Sequence, residues 1–432
     1  MISTAIRKRM MLSGRRNVTP QRGLHGIRIL LYDNFSHVAL KSIHLFKTPN
    51  YKANISRAKH PFVTQSSSMD LKALPRHYQE NVNNTKCTYR QLGKSGLKVS
   101  VPILGCMGIG DQDWVWDWVM EEEESIRLLK AAWDRGINTW DTANVFSNGK
   151  SETIIGKAIK EHQIPRHKVV LITKVFCTVG EHGDNAMAYA APLRGTKEYV
   201  NQSGLSRQSI MNNVQASLDR LQTDYIDVLM IHRSDDRVPY EETMEALHDL
   251  VRVGKVRYLG ASSMWTYQFV QMQHCAEKHG WTKFVCMQNH YNLIYREEER
   301  EMNRYCKLTG VGMIPWAPLC RGWLARRLQD SLNGTTQRSQ DECFNGSRYI
   351  AIREAPDQQI IRRIEEVADS KGWSMVDVAL AWLNKRVTSP VVGMRTEMML
   401  DEACAVQGKE LTVEEEKYLE ELYEPRAISG HA

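Results

Sequence analysis

Three side chains of complementary chemistry each follow a β-branched run. Asp141 follows INTW (137–140), Lys174 follows KVVLIT (168–173) and His232 follows YIDVLMI (225–231). A carboxylate and an ammonium side by side form an ion pair that is costly to bury without a purpose. Such a pair tunes the proton affinity of a neighbouring acid, and an imidazole beside it orients a polar group or moves a proton. Taken singly, a histidine after a strand is more often a satisfied structural residue, and an aspartate there is often a turn former or cap. Three of them at equivalent positions of consecutive units point to one shared mouth. The same register continues with Ser262, Ser263, Gln288, Asn289, Trp316 and Arg395.

The elements that carry these residues repeat. PILG (102–105) precedes the helical ESIRLLKAAWDRG (124–136), INTW precedes KSETIIGKAIKEH (150–162), and KVVLIT precedes SRQSIMNNVQASLDRLQ (206–222). In the last of these Ser206 is placed to cap the helix, and Ile210, Val214, Leu218 and Leu221 share one face. YIDVLMI, VRYLG (256–260), FVCMQ (284–288), GMIPW (312–316) and SPVVGM (389–394) each precede a further helical segment, which makes eight strand–helix units. Parallel strands need helical crossovers, so alternation of this kind specifies an α/β fold with a parallel sheet. Eight units in about 320 residues match a (β/α)8 barrel. TYRQLG and LKVSVPIL around KSG add an N-terminal hairpin. The rival, a doubly wound open sheet, announces its nucleotide site with GxGxxG after an early strand. The nearest match, GCMGIG (105–110), runs into DQDWVWDWVMEEEE rather than opening a helix, so the barrel is preferred. In a barrel, chemistry sits at the C-terminal ends of the strands, where the residues above lie.

Composition bounds the rest. With 42% apolar and 25% charged residues the chain reads as globular, and no apolar run reaches the roughly 18–20 residues of a membrane-spanning helix. The nine Cys (87, 106, 177, 275, 286, 306, 320, 343, 404) are scattered with no ligand spacing, which suits a reducing compartment. No metal cluster is visible among the fourteen His. The net charge of +7 divides unevenly: residues 1–68 hold twelve Lys/Arg and only Asp33 as an acid, or +11, leaving 7 − 11 = −4 for the remainder. The body therefore has no global attraction to nucleic acid. Residues 1–87 are read as an N-terminal extension and 88–432 as the barrel. The extension is expected to be a disordered or non-native leader ahead of Met69. Its Arg-rich, acid-poor start also has the composition of a mitochondrial transit peptide, and a functional basic arm is the third alternative. The expected location is cytoplasmic, or mitochondrial if residues 1–68 are a working transit peptide.

The blocks INTWDTANVF-SNGKSE, VVLITK, TDYIDVLMIHR, GKVRYLGASSM, MQNHYNLIYREEEREM and GMIPWAPLCRGWLARR resemble, in order, those of the aldo-keto reductases. The branch most resembled is the fungal one of aryl-alcohol dehydrogenases and versiconal hemiacetal acetate reductase, over roughly residues 88–425. The resemblance implies a (β/α)8 barrel that binds NADP(H) without a Rossmann motif and transfers hydride between nicotinamide and an aldehyde or ketone. It implies catalytic roles for Asp141, Lys174 and His232, with a Tyr as proton donor. In the pattern DTAxxY that slot holds Phe146, which has no ionisable proton. For the cofactor it implies Ser262, Ser263 and Gln288 at the carboxamide, Trp316 stacked on the nicotinamide, and Pro318, Leu319, Arg321 and Gly322 folded over the pyrophosphate. Arg395 would take the 2′-phosphate and Glu402 the adenine. A cofactor-binding module with impaired turnover is the alternative that Phe146 raises.

The remaining features have plainer readings. REEERE (296–301) is expected to be a solvated helix face, and WVWDW (114–118) either lines a substrate mouth or packs as a flap. Substrate choice is expected to lie in the loops 107–122, 175–205 and 323–357. The partner is expected to be a small carbonyl or alcohol, with the chain a monomer or weak homo-oligomer.

Overall fold

The computed structural model describes residues 71–114, 116–182, 190–340, 352–353 and 355–431. The readings placed on residues 1–68 lie outside these. The described residues fall in one compact unit that runs from Ser68 to Ala432.

The ten strands among the described residues are β1 (Thr88–Gln91), β2 (Lys98–Val101), β3 (Ile103–Gly105), β4 (Thr139–Asp141), β5 (Val170–Val175), β6 (Ile226–Ile231), β7 (Val256–Ser262), β8 (Phe284–Gln288), β9 (Gly312–Met313) and β10 (Val391–Gly393). β1 and β2 form the antiparallel hairpin, Thr88 opposite Val101. The other eight pair in parallel in the order β10-β3-β4-β5-β6-β7-β8-β9. Thr388 N and Val391 N donate to Met313 O and Pro315 O, each at 2.9 Å, which joins the two ends of the sheet. The result is the (β/α)8 barrel.

Strand alternation divides the core into two layers. Ile103, Ile172, Val228, Met230, Cys286 and Ile314 fill the barrel interior with Leu92 and Val99 of the hairpin. Leu104, Leu171, Leu229 and Leu259 point outward against the helices. Each such side chain contributes about 1.5–3 kcal/mol by leaving water. Every residue of β5 is buried, as expected for a strand covered on both faces. The hairpin turn closes the end of the barrel away from the site, where Lys94 N donates to Gly310 O at 2.8 Å. At Gly93 (φ +59°) a Cβ would fall 2.4 Å from Gly310 O, so glycine is required.

Local signals act as their chemistry predicts. Ser206 accepts from Ser209 N and starts the helix Arg207–Leu221, whose buried face includes Ile210, Val214, Leu218 and Leu221. Ser206→Ala would cost it about 1 kcal/mol. Three segments differ from the sequence expectation. The strand β9 is only Gly312–Met313, because Pro315 lacks an N–H for the ladder; an isolated bridge then ties Trp316 to His290. The segment 296–308 divides into a 3-10 turn, Glu297–Glu299, and the helix Met302–Thr309. Residues 71–87 carry the helix Arg76–Asn84, after which Lys86 reaches Asp401 at 2.8 Å and Cys87 is buried. Among the described residues no helix is long and apolar enough to cross a membrane.

Candidate active site

β4 and β5 lie side by side, with Asp141 opposite Ile172 and Lys174 opposite Met230 of β6. This register aims two ionisable side chains into the same end of the barrel. Lys174 Nζ donates to Asp141 Oδ1 at 2.8 Å, to Oδ2 at 2.7 Å and to the Thr142 carbonyl at 2.8 Å. Both residues are almost fully buried. All three ammonium protons are therefore committed, which is how a buried lysine is satisfied. Gln288 Nε2 donates to Asp141 Oδ1 at 2.8 Å, so the carboxylate also reaches β8.

Phe146 and His232 complete this half. The Phe146 ring lies 5.5 Å from Lys174 Nζ and meets the His232 ring edge-on at 6.1 Å between centroids. Burial, with the charges of Arg233 and Lys174, holds the His232 pKa well below the usual imidazole value, so the ring is neutral. Its Nδ1 is buried without a hydrogen-bond partner. The turn bearing Phe146 is held in place by its neighbours. Ser147 and Asn148 take left-handed φ values of 47° and 53°. Asn148 bonds Gly180 N, Gly180 O and His182 O, while Ser147 Oγ accepts from Asp111 N. Trp114 packs with Ala143 and Val145, against which Trp116, Phe146 and Cys177 rest. The three tryptophans of WVWDW thus pack as a flap, and Trp114 and Trp116 also wall the ring of Phe146.

The second half lies on β7, β8 and the loop after β9. Ser262 Oγ donates to Gln288 O at 2.7 Å, and Ser263 N donates to Asn289 Oδ1 at 2.9 Å. Trp316 Nε1 donates to Ser263 Oγ at 2.9 Å. One face of Trp316 stacks on His290 at 4.2 Å, and His290 stacks in turn on Tyr295 at 4.0 Å. Burial, aided by Arg321 and Arg426, keeps His290 neutral. Ser263, Ala317, Cys320 and Arg321 all have left-handed φ values between 43° and 56°. Non-glycine residues adopt such values at a cost, and sites of function are where that cost collects. Pro318, Leu319 and Gly322 share the strained loop.

Arginines gather beyond it. Arg338, on the short helix Gln337–Gln340, stacks 4.3 Å over the Trp118 ring. Burial first, then the charges of Arg321, Arg395 and Arg326, push its pKa down to about 9. Arg395 Nε is buried with no hydrogen-bond partner. A group of like charges in this state is stabilised by an anion. Glu402, half-buried on the helix Glu397–Ala405, follows Arg395 on the same segment.

The sequence reading missed several residues. REEERE is not a solvated face: Glu297 and Glu298 are buried because each has strong donors. Glu297 Oε1 accepts from the Tyr423 hydroxyl and from Arg426 N; Glu298 accepts from Asn289 Nδ2 at 2.7 Å and pairs with His431 at 2.8 Å. Glu298 thereby fixes Asn289, which fixes Ser263. The chain's last described residues also reach the site, since a Cβ at Gly430 would lie 3.0 Å from the Trp316 ring. Only a charge run was visible in the sequence, and the partners Tyr423, Arg426 and His431 are over a hundred residues distant. Arg326 and Arg338 lay in a segment with no periodic pattern. No group of His, Cys, Asp and Glu among the described residues is arranged to hold a metal.

Comparison with known proteins bears on this geometry. Residues 103–424 match the model of the aldo/keto reductase family. The chain is 53% identical over 378 residues to an aldo-keto reductase of Fusarium vanettenii, covering 86% of this chain and 100% of that protein. It is 48% identical over 342 residues to versiconal hemiacetal acetate reductase of Aspergillus parasiticus, covering 79% and 98%. With a putative aryl-alcohol dehydrogenase of Schizosaccharomyces pombe it shares 46% over 353 residues, covering 79% and 97%.

Proposed function

The chain belongs to the aldo/keto reductase family and is an oxidoreductase of carbonyl compounds, and we propose that it is an NADP(H)-dependent reductase of aldehydes or ketones in which Phe146 stands where the family has its proton-donating Tyr. The observation that carries this reading is the buried Asp141–Lys174 pair beside a neutral His232, opposite a cationic, strained cofactor side.

The residues fit a dinucleotide phosphate. Burial first, and then the neighbouring arginines, hold Arg338 below its usual pKa, and the orphaned Arg395 Nε lacks an acceptor. Arg395 takes the 2′-phosphate, for which a guanidinium fork is suited, and Arg321 with Pro318, Leu319 and Gly322 closes over the pyrophosphate. Trp316, backed by His290, offers its other face to the nicotinamide. Ser262, Ser263 and Gln288 hold the carboxamide, and Glu402 takes the adenine. When bound, the nicotinamide supplies the hydride.

The chain's own groups then set the carbonyl. Neutral His232 donates from the pocket side of its ring to the carbonyl oxygen and orients it. Lys174, fixed by Asp141, presents positive charge as the oxygen becomes anionic. No side chain here is a ready acid. Phe146 has no proton, a neutral imidazole would have to become an imidazolate, and every Lys174 proton already has an acceptor. Water supplies the proton, and turnover is slow. Purified protein that neither quenches NADPH fluorescence nor binds NADP+ at about millimolar concentration, the weak limit of useful affinity, would remove the reading.

Phe146 also favours a second reading, a cofactor-binding module without efficient turnover. Tight NADPH binding with no oxidation across a broad carbonyl panel would select it; rapid turnover of any physiological carbonyl would eliminate it. For location we propose the cytoplasm, supported by eight free cysteines and no disulfide among the described residues. Import of the full chain into mitochondria, with a form begun at Met69 left behind, would overturn that.

A further inference from the structure

The segment 426–431 closes a ring of contacts around Trp316 and Ser263. It is held at three points on the segment that follows β8. Arg426 N donates to Glu297 Oε1 at 2.8 Å, and its Nη1 donates to Ile294 O at 3.0 Å. Ser429 N donates to the Tyr295 hydroxyl at 2.8 Å, and that hydroxyl donates to Ser429 O at 3.2 Å. His431 Nε2 lies 2.8 Å from Glu298 Oε1; facing a carboxylate oxygen, it is the donor. The His431 side chain is only 7% exposed, and its ring meets Trp265, just beyond β7, edge-on at 4.9 Å. Between these anchors Gly430 takes φ +95° and lies against the edge of the Trp316 ring. A Cβ there would fall 3.0 Å from Trp316 Cζ2 and 3.9 Å from Ser263 Oγ.

From His431 a second route leads back to the same indole. Glu298 Oε2 accepts from Asn289 Nδ2 at 2.7 Å, Asn289 Oδ1 from Ser263 N at 2.9 Å, and Ser263 Oγ from Trp316 Nε1 at 2.9 Å. Glu298, Asn289 and Ser263 are all buried. Ser263 holds a left-handed φ of 43°, which a non-glycine residue keeps only where its neighbours over-determine it. Asn289 supplies that restraint, and Glu298 orients Asn289. Glu298 receives Asn289 on one oxygen and His431 on the other. Loss of His431 removes a donor from a buried carboxylate, which is costly until the carboxylate turns toward water. That turn would release Asn289, then Ser263, then the indole N–H, because a buried polar network is rigid only while every member is satisfied.

We propose that His431 is a positioning residue for the nicotinamide half of the cofactor, acting through Glu298, Asn289 and Ser263 while Gly430 backs Trp316. The inference rests on the NADP(H) reading and adds to it a residue outside the proposed cofactor set. Its effect is confined to one half of the dinucleotide. Ser263 and Trp316 serve the carboxamide and the ring, whereas Arg395, assigned to the 2′-phosphate, and Glu402, assigned to the adenine, lie outside the circuit. A carboxamide and a ring held in one pose present the hydride in one direction, which is what a supported, rigid site contributes to transfer.

The test titrates two ligands into the full chain by calorimetry: NADP+, and adenosine 2′,5′-bisphosphate, which carries the adenine and the 2′-phosphate but no nicotinamide. The parent is expected to bind both. His431→Leu should weaken NADP+ by about 10–100-fold, the scale of a hydrogen bond to a charged group, and leave the bisphosphate almost unchanged. His431→Gln, whose amide can place an N–H where Nε2 stands, should restore most of the NADP+ affinity. Gly430→Ala leaves the donors of Glu298 in place and crowds the Trp316 ring, so it too should weaken NADP+ selectively, and it carries the comparison if His431→Leu does not fold. NADP+ binding indifferent to both His431→Leu and Gly430→Ala overturns the proposal. So does an equal loss of both ligands, which would mark general loosening rather than positioning, and so does His431→Gln binding NADP+ no tighter than His431→Leu. A parent protein that binds neither ligand would refute the cofactor reading itself, and this inference with it.

Discussion

Phe146→Tyr adds one hydroxyl to a ring that lies 5.5 Å from Lys174 Nζ and 6.1 Å from the His232 ring. The ring is half-buried, with one side open to the mouth, so packing tolerates a near-isosteric change. The new phenol sits beside a cation, which favours its ionised form and lowers its pKa toward the working range. General acid catalysis is worth about 10²–10⁴-fold. The lower part of that range is expected here, because Lys174 already divides its protons among Asp141 Oδ1, Asp141 Oδ2 and Thr142 O. A gain of about 10²–10³ corresponds to roughly 3–4 kcal/mol of barrier. The assay is single-turnover oxidation of bound NADPH by an aromatic aldehyde, in parent and variant, with NADPH affinity measured alongside. Equal rates at equal affinity would refute the reasoning, since the proton would then come from a source that Phe146 does not limit. A slower variant would mean that the apolar ring is required by the substrate.

Other expectations concern stability and the cofactor. His290 is buried and held neutral, so below pH 6.5 the unfolded chain binds a proton that the native chain refuses; stability is full above that pH and falls as pH drops toward the lowered native value. Its share is up to about 1.4 kcal/mol per pH unit, and urea denaturation of His290→Phe should show a shallower loss between about pH 6.5 and 5.5. Lys174→Met strands the Asp141 carboxylate with Gln288 as a donor and should cost about 3–5 kcal/mol by denaturant titration, much of it recovered when Asp141→Leu is added. NADP+ should raise Tm more than NAD+ at equal concentration, and Arg395→Ala should remove that difference; equal shifts in the parent protein would contradict the 2′-phosphate assignment.

The barrel was legible because its signals are local. Each strand is a short β-branched run and each helix a periodic stripe, and the cap at Ser206 formed where a serine precedes an apolar face. The juxtaposition of Asp141, Lys174 and His232 followed from a rule of the architecture, that strand ends converge. What stayed hidden depends on pairing across long separations. Glu297 and Glu298 look solvated in sequence, yet their donors Tyr423, Arg426 and His431 arrive from the far end of the chain. Arg338 gives no sign of burial until Trp118 is found beneath it. The helix Arg76–Asn84 has no buried residue, so the apolar periodicity that reveals packed helices is not available there.

The central claim is that this mouth passes hydride to a carbonyl carbon although its usual acid is missing. It is tested most directly by supplying the full-length protein with NADPH deuterated at C4 of the nicotinamide and a carbonyl substrate, then locating the label by mass spectrometry and NMR. One deuterium on the carbinol carbon of the alcohol, appearing slowly in the parent and faster in Phe146→Tyr, is the predicted result. NADPH that binds at this site while the label never reaches carbon, in parent or variant, would contradict the account.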